Sequence, residues 1–97
     1  MAEQLRHEDF APHVGKRFRF EGWNSALRLV AVNVHDHAPA PGIARPPFTA
    51  LFHGPVDDIL PEGLYRADIE DGSALEFYIM PIHTVAPGRQ EYQAVFN

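Results

Sequence analysis

Apolar and polar side chains alternate one by one along several short runs of this chain. Phe18 and Phe20 alternate with charged neighbours, and the same period of two recurs in residues 47–53, 64–70 and 90–97. Because successive side chains of a β-strand point to opposite faces, this period predicts strands with one buried face. It also argues against a helical fold.

The longest run of strand-forming residues, 26–35, changes phase in its middle. Its apolar residues are Leu27 and Leu29 in one phase, and Val30, Val32 and Val34 in the other. A strand accommodates such a change when both of its faces are buried, or when a β-bulge inserts an extra residue. The sequence leaves both alternatives open and places a bulge near Leu29.

The dipeptide Asp71-Gly72 lies between two alternating runs, which is the sequence signal of a tight β-hairpin. A two-residue type I′ turn needs positive φ at both of these residues. The register of this turn pairs Glu70 with Ser73, Arg66 with Phe77, and Leu64 with Ile79. The next strand is predicted over residues 73–85, with Pro81 marking a bulge or an outward-facing edge.

A short helix is predicted before the first strand. Asp9 is the expected N-cap, and Pro12 falls in the first turn, where the missing N–H costs nothing. Gly15 suits the position that ends a helix. Phe10 and Val14 are four residues apart, so they are expected to share the face that packs on the sheet.

These segments predict one mostly β domain over residues 1–97, because a hydrophobic core is not divided at this length. About six antiparallel strands are expected, as a small barrel or a curved two-layer sheet, with the short N-terminal helix plugging an open end. The last three strands are expected to form a meander. Residues 37–47 contain four prolines and are predicted to be a surface loop.

Charge narrows the range of partners. The chain has 13 acidic and 8 basic residues, for a net charge of −5. This balance argues against nucleic acid as a partner, because phosphate contacts need clustered Lys and Arg. The one basic cluster, Lys16, Arg17 and Arg19, is interrupted by phenylalanine and is interpreted as the solvated face of a strand.

The chain contains no cysteine, which excludes disulfides, Cys-based zinc sites and thiol catalysis. No apolar run reaches the length of a membrane span. No leader peptide is visible, so the cytoplasm is the default compartment and non-classical export is the alternative.

Six histidines make a metal site worth testing. On a strand, His35 and His37 point to one face, so with Asp36 they form the sharpest ligand candidate. A third imidazole, from His53 or His83, would have to come from another strand. Polar residues are also expected where a strand runs out into a loop, and this second interpretation is preferred. No resident metal or cofactor is therefore predicted.

Other chemistry has weaker support. Asp57, Asp58 and Glu62 form an acidic corner that turn formation explains better than calcium binding. Neither serine, Ser25 or Ser73, lies in the context of a nucleophile elbow, and no glycine-rich phosphate loop is present. No catalytic residue is assigned, and the chain is predicted not to be an enzyme.

Interface candidates come from two places. Trp23 stands at a turn beside a glycine, where it either anchors an interface or folds back over the barrel end; the second is preferred. Ala94, Val95 and Phe96 form an apolar stretch of the last strand. Few charged residues lie nearby to prevent its edge from pairing with another chain. This strand is expected either to close a barrel with the first strands or to add to the sheet of a neighbour.

Residues 5–97 also resemble a family of small bacterial proteins of about 100 residues, classed as a domain of unknown function. The matching residues are Glu8-Asp9-Phe10, Val14-Gly15, Phe18, Pro47-Phe48, Leu51-Phe52, Gly54-Pro55, Leu60-Pro61-Glu62-Gly63, Tyr65, Pro81-Ile82 and Tyr92-Gln93-Ala94-Val95-Phe96-Asn97. Members are often encoded near phage-tail-like or fibre-like surface proteins. The resemblance implies an accessory or assembly role and no reaction.

The leading functional hypothesis is therefore a non-enzymatic protein-interaction or assembly module, as an accessory of an extracellular fibre or tail-like system. Its partner is expected to be another protein or a second copy of itself. The alternative is a small β-barrel that binds a ligand or metal through His35, Asp36 and His37. A minor hydrolase is the third and weakest hypothesis.

Overall fold

The computed structural model describes residues 5–35, 47–83 and 88–96. They form a one-turn helix α1 (His7–Phe10), a 3₁₀ turn (Ala11–His13) and six strands. The strands are β1 (Arg17–Phe20), β2 (Ala26–Val34), β3 (Phe48–Gly54), β4 (Gly63–Ile69), β5 (Ala74–Ile82) and β6 (Gln90–Phe96). They close an antiparallel barrel in the order β1-β2-β3-β6-β5-β4. The predicted fold class is confirmed, and of the two architectures it is the barrel.

Every strand sends side chains into the barrel interior. One buried side chain from each strand is Phe18, Leu27, Phe52, Ile69, Phe77 and Tyr92. The ring of Phe52 stacks on that of Phe77 at 5.8 Å between centroids, and the ring of Phe18 meets Phe52 edge-on at 5.2 Å. The predicted alternation of Phe18 and Phe20 with exposed charged residues is confirmed. No helix of the described ranges combines the length and apolar character that crossing a bilayer requires.

A β-bulge resolves the phase change in β2. Leu29 lies opposite Phe52, but Ala31 lies opposite Leu51, so the register shifts between Leu29 and Ala31. Val32 then packs against the same interior as Leu29. The bulge near Leu29 is therefore the correct alternative, because the extra residue lets Val32 as well as Leu29 pack on the interior, while Val34 is 43% exposed.

The hairpin between β4 and β5 forms where it was predicted, but its predicted register is wrong by one residue. The Gly72 N–H donates to Ile69 O at 2.9 Å, and the Ile69 N–H donates to Ser73 O at 2.8 Å. The loop therefore has three residues. Gly72 has a positive φ of +96°. Among the described residues only glycines have a positive φ, so Asp71 does not adopt the type I′ conformation.

The corrected pairs are Tyr65 with Phe77, Arg66 with Glu76, Leu64 with Tyr78, and Gly63 with Ile79. They replace the predicted pairing of Glu70 with Ser73, of Arg66 with Phe77 and of Leu64 with Ile79. The physical reason is burial. A one-residue shift moves every side chain to the other face, and only the observed register directs Tyr65 and Phe77 to the same side of the sheet.

The N-terminal helix also differs from its prediction. Arg6 is the N-cap, and Asp9 lies in the third helical position, where its Oδ2 accepts a hydrogen bond from the Arg6 N–H at 2.8 Å. The helix gives way to a 3₁₀ turn that contains Pro12, so Val14 does not follow Phe10 on a helical face. Phe10 is buried, but 47% of Val14 is exposed.

Both ends of the barrel are covered. At one end Phe10 of α1 lies among the rings of Phe48, Phe77 and Phe96, at 5.2–5.8 Å between centroids. At the other end Leu60, from the connection between β3 and β4, is buried, and its N–H donates to the hydroxyl of Tyr92 at 2.9 Å. The helix thus plugs this end of the barrel, as predicted, through the side chain of Phe10 alone among its residues.

The pairing between β5 and β6 is short. It runs from Met80 opposite Gln93 to Ile82 opposite Glu91, whereas the earlier part of β5 pairs with β4. Pro81 lies in the segment that pairs with β6 alone, which is the edge-like position that a proline tolerates. The strands β4, β5 and β6 follow one another in the sheet, which confirms the predicted meander.

Candidate functional site

Three apolar side chains project outward from the adjacent strands β4, β5 and β6. Leu64 is 65% exposed, Tyr78 is 46% exposed and Val95 is 44% exposed. Leu64 and Tyr78 are directly opposite in the β4–β5 register. Tyr78 and Val95 each lie two residues beyond the last β5–β6 pair, Met80 with Gln93, on strands that are adjacent in the barrel. We call Leu64, Tyr78 and Val95 the apolar face.

The tyrosine of the apolar face is hydrogen-bonded through its hydroxyl. Its hydroxyl donates to Oε2 of Glu62 in the connection before β4. This hydrogen bond to a carboxylate, together with desolvation, raises the pKa of Tyr78 above its ordinary value of 10.0. The hydrogen bond joins the end of the Tyr78 side chain to the connection before β4, and the ring remains exposed in the way that aromatic interface anchors are.

The predicted interface residues fall in different environments. Of Ala94, Val95 and Phe96, only Val95 points outward. Ala94 is buried, and the ring of Phe96 stacks on Phe48 at 4.4 Å between centroids. The alternation along β6 explains this separation, since a strand sends neighbouring residues to opposite faces. The strand itself lies between β3 and β5, so it closes the barrel.

Trp23 folds back over the barrel end. Its indole packs against the core, and its Nε1–H donates to Oδ1 of Asp58 at 2.9 Å. The hydroxyl of Ser25 donates to the other oxygen of Asp58 at 2.5 Å. One carboxylate thus joins the β1–β2 turn to the β3–β4 connection, and both of its oxygens serve this structural contact.

The Asp58 contacts predict an acid-sensitive part of the stability. Hydrogen bonds from Ser25 and then Trp23 lower the pKa of Asp58 below its ordinary value of 3.8, against desolvation. A lowered folded-state pKa stabilises the protein above the unfolded pKa, and this contribution is lost as the pH falls towards the folded value. We expect urea midpoints to fall between pH 5 and pH 2, and to fall less steeply in Asp58→Asn.

The exposed neighbour Asp57 supplies the control for this measurement. Asp57→Asn removes the same charge without touching the Trp23 and Ser25 contacts, so its pH profile should follow that of the wild type. A profile of Asp58→Asn that superimposes on those of the other two proteins would contradict the assignment.

A second carboxylate, Asp71, lies beside Lys16 and His13 at the opposite end of the barrel. Lys16 Nζ lies 3.0 Å and His13 Nδ1 lies 3.1 Å from its Oδ2, while its Oδ1 accepts the Ser73 N–H at 2.9 Å. The backbone hydrogen bond from Ser73 and then the side chain of Lys16 hold the pKa of Asp71 far below its ordinary range. The imidazole Nδ1 is buried but is not aligned for a hydrogen bond.

This group does not have the geometry of a hydrolase triad. In a triad the imidazole stands between the serine hydroxyl and the carboxylate, so that it takes the proton of the nucleophile. Here the carboxylate of Asp71 stands in the middle, with Ser73 and Lys16 as its hydrogen-bond donors and His13 beside it. The arrangement ties the β4–β5 hairpin to the 3₁₀ turn.

The predicted metal site lies mainly outside the described residues, which include His35 but neither Asp36 nor His37. The Nε2 of His35 is 3.0 Å from the hydroxyl of Thr49. The Nε2 of His53 is 3.3 Å from Oε2 of Glu91. Within the described ranges no three His, Asp or Glu side chains converge as metal ligands would. The metal alternative stays a prediction.

Sequence reasoning missed Leu64 and Tyr78 because it placed the hairpin one residue out of register. The signal was present, since Tyr65 and Phe77 are the inward residues of their strands and their neighbours must face outward. With a three-residue loop, Leu64 and Tyr78 become an outward pair of two large apolar side chains.

Comparison with known proteins identifies a family. A family described as Domain of unknown function (DUF6916) matches residues 5–96 of the chain. Neither the curated proteins nor the solved structures contain a match.

Proposed function

We propose that this chain, which belongs to the DUF6916 family of domains of unknown function, is a protein-interaction module that docks through its apolar face. The observation that carries the proposal is the exposure of Leu64, Tyr78 and Val95 on three consecutive strands. Large contiguous apolar patches are uncommon on monomers and mark docking surfaces.

The interior supports the same conclusion. The rings of Phe18, Phe52 and Phe77 lie at 5.2–6.3 Å from one another, which is the spacing of packed aromatic side chains. These side chains fill the barrel and stabilise it. The surface is thus the part of the molecule that remains for recognition.

The surroundings of the apolar face resemble an interface rim. Arg66 and Glu76 are paired across β4 and β5 next to Leu64 and Tyr78, and Gln93 precedes Val95 by two residues. An apolar centre with an anchored aromatic ring and a polar rim is the usual composition of a protein–protein interface. Docking of this kind also suits the predicted accessory role in a fibre or tail-like assembly.

Self-association is the simplest form of the proposal, and light scattering after size exclusion tests it. We expect the average mass to rise with protein concentration, and Leu64→Glu to return the protein to the monomer, because a buried unpaired carboxylate opposes association. Val14→Glu is the matched control, since Val14 is similarly exposed but lies outside the apolar face.

A wild type that is monomeric at every concentration excludes self-association. The decisive measurement is then a pull-down from the host with all three proteins. A partner retained by the wild type and Val14→Glu but lost by Leu64→Glu supports the proposal. Identical captures by all three overturn it.

A further inference from the structure

Three arginines project from the outer face of the β1–β2 hairpin. Arg17 and Arg19 occupy alternate positions of β1, and Arg28 lies on β2 directly opposite Arg17. All three side chains are exposed. We call them the arginine face. It lies on different strands from the apolar face and rests on an independent observation.

The arginine face is not neutralised by the described part of the chain. Arg66 pairs with Asp68 and Arg89 pairs with Glu91, but none of the three guanidinium groups lies in an ion pair with a described carboxylate. Like charges directly opposite on antiparallel strands destabilise a sheet. The chain as a whole has an excess of acidic residues, so this local concentration of positive charge calls for an external anion.

The borders of the arginine face limit the size of that anion. On the β4 side, Asp68 lies opposite Arg19, and Oε1 of Glu70 accepts the backbone N–H of Arg17. On the β3 side, His53 lies opposite Arg28 and contacts Glu91. Carboxylates therefore flank a positive strip two strands wide. A long polyanion such as nucleic acid would be repelled by them, whereas a short acidic stretch would fit between them.

The spacing of the arginines matches an extended peptide. Alternate residues of a strand are about 6.7 Å apart, so Arg17 and Arg19 can each meet every second side chain of an extended chain lying along β1. Guanidinium groups bind carboxylates in a bidentate manner. We propose that the arginine face binds an acidic, extended segment of a partner protein, with carboxylates at alternate positions.

A fluorescently labelled hexaglutamate peptide tests this proposal by anisotropy. We expect saturable binding at low salt that weakens as salt is added, and at least about tenfold weaker binding by Arg28→Glu, since charge-assisted hydrogen bonds are lost. Arg66→Glu makes the same change in net charge at an arginine that is already paired, so it should bind within about threefold of the wild type.

Thermal unfolding separates binding from a structural role. Arg28→Glu replaces a like-charged pair with an attractive one opposite Arg17, so its Tm should rise by about 1–5 °C while binding is lost. A lowered Tm together with lost binding would assign Arg28 a structural role and overturn the proposal.

The same binding measurements distinguish the acidic peptide from other ligands of the arginine face. Equal binding of hexaglutamate by the wild type and Arg28→Glu, or no binding by the wild type, contradicts the proposal. Tighter binding of a single-stranded oligonucleotide or of inorganic phosphate than of the peptide also contradicts it. Leu64→Glu should bind the peptide normally, so failure of this proposal is distinguishable from failure of the apolar face.

Discussion

Phe10→Ala is expected to lower the free energy of unfolding by about 3–5 kcal/mol. The side chain is fully buried at the end of the barrel and contacts the rings of Phe48, Phe77 and Phe96. Its removal leaves a cavity among these three rings, which come from β3, β5 and β6. Urea unfolding followed by tryptophan fluorescence measures the loss.

Val14→Ala is the matched control for this experiment. Val14 follows Phe10 by four residues but is largely exposed, so its truncation should change stability by less than about 0.5 kcal/mol. A loss of less than about 1 kcal/mol in Phe10→Ala would show that the helix does not plug the barrel, and that the six strands close without it.

Gly54→Ala is expected to destabilise the barrel by about 1–3 kcal/mol, which is the usual effect of overpacking a core. A Cβ at this position would lie 2.3 Å from Cδ2 of Leu27 and 3.2 Å from Cε1 of Tyr92. Both neighbours are fully buried, and Tyr92 is also held by its hydrogen bond from Leu60. Neither can move without disturbing the packed interior.

Two comparisons make the Gly54 experiment specific. Gly63 also lies in a strand, but a Cβ there would be 3.4 Å or more from Tyr65, which is ordinary contact. Gly63→Ala should therefore be neutral or slightly stabilising. In a Leu27→Val background, which lacks the clashing Cδ2, Gly54→Ala should cost less than in the wild type. Additive effects of the two substitutions would contradict the clash.

The two proposed surfaces lie on different strands of the barrel. In the strand order β1-β2-β3-β6-β5-β4, the hairpin β1–β2 stands across from β6 and β5. Tyr78 and Val95 therefore lie across the barrel from the arginine face, whereas Leu64 lies on β4, which pairs with β1. A module with two such surfaces can hold two partners at once, or two segments of one partner that wraps around it.

The periodic pattern predicted most of the barrel. Strict alternation located β1, β3, β4 and β6 and identified Phe18, Phe20, Phe48 and Phe52 as inward residues. Local rules also located the turn after β4, because few dipeptides tolerate a tight hairpin as Asp71-Gly72 does. These features depend on neighbours in sequence, so the sequence contains the information needed to predict them.

Local rules failed where several segments compete for one interior. The choice between a bulge and two buried faces in β2 depended on which of its valines met the core. The loop length after β4 depended on the need to bring Phe77 alongside Tyr65. Asp9 gave a helix signal, but the 3₁₀ turn at Pro12 ended the helix before Val14 could reach the face of Phe10.

The candidate surfaces are also features that local rules could not predict. The sequence determined that Val95, Leu64 and the arginines stand on strands, because alternation is a property of each strand alone. Only the tertiary structure decided that Leu64 faces Tyr78, that β6 with Val95 lies beside β5, and that Arg17 faces Arg28. Contact between strands depends on register and closure, and these follow from the packing of all the inward side chains together.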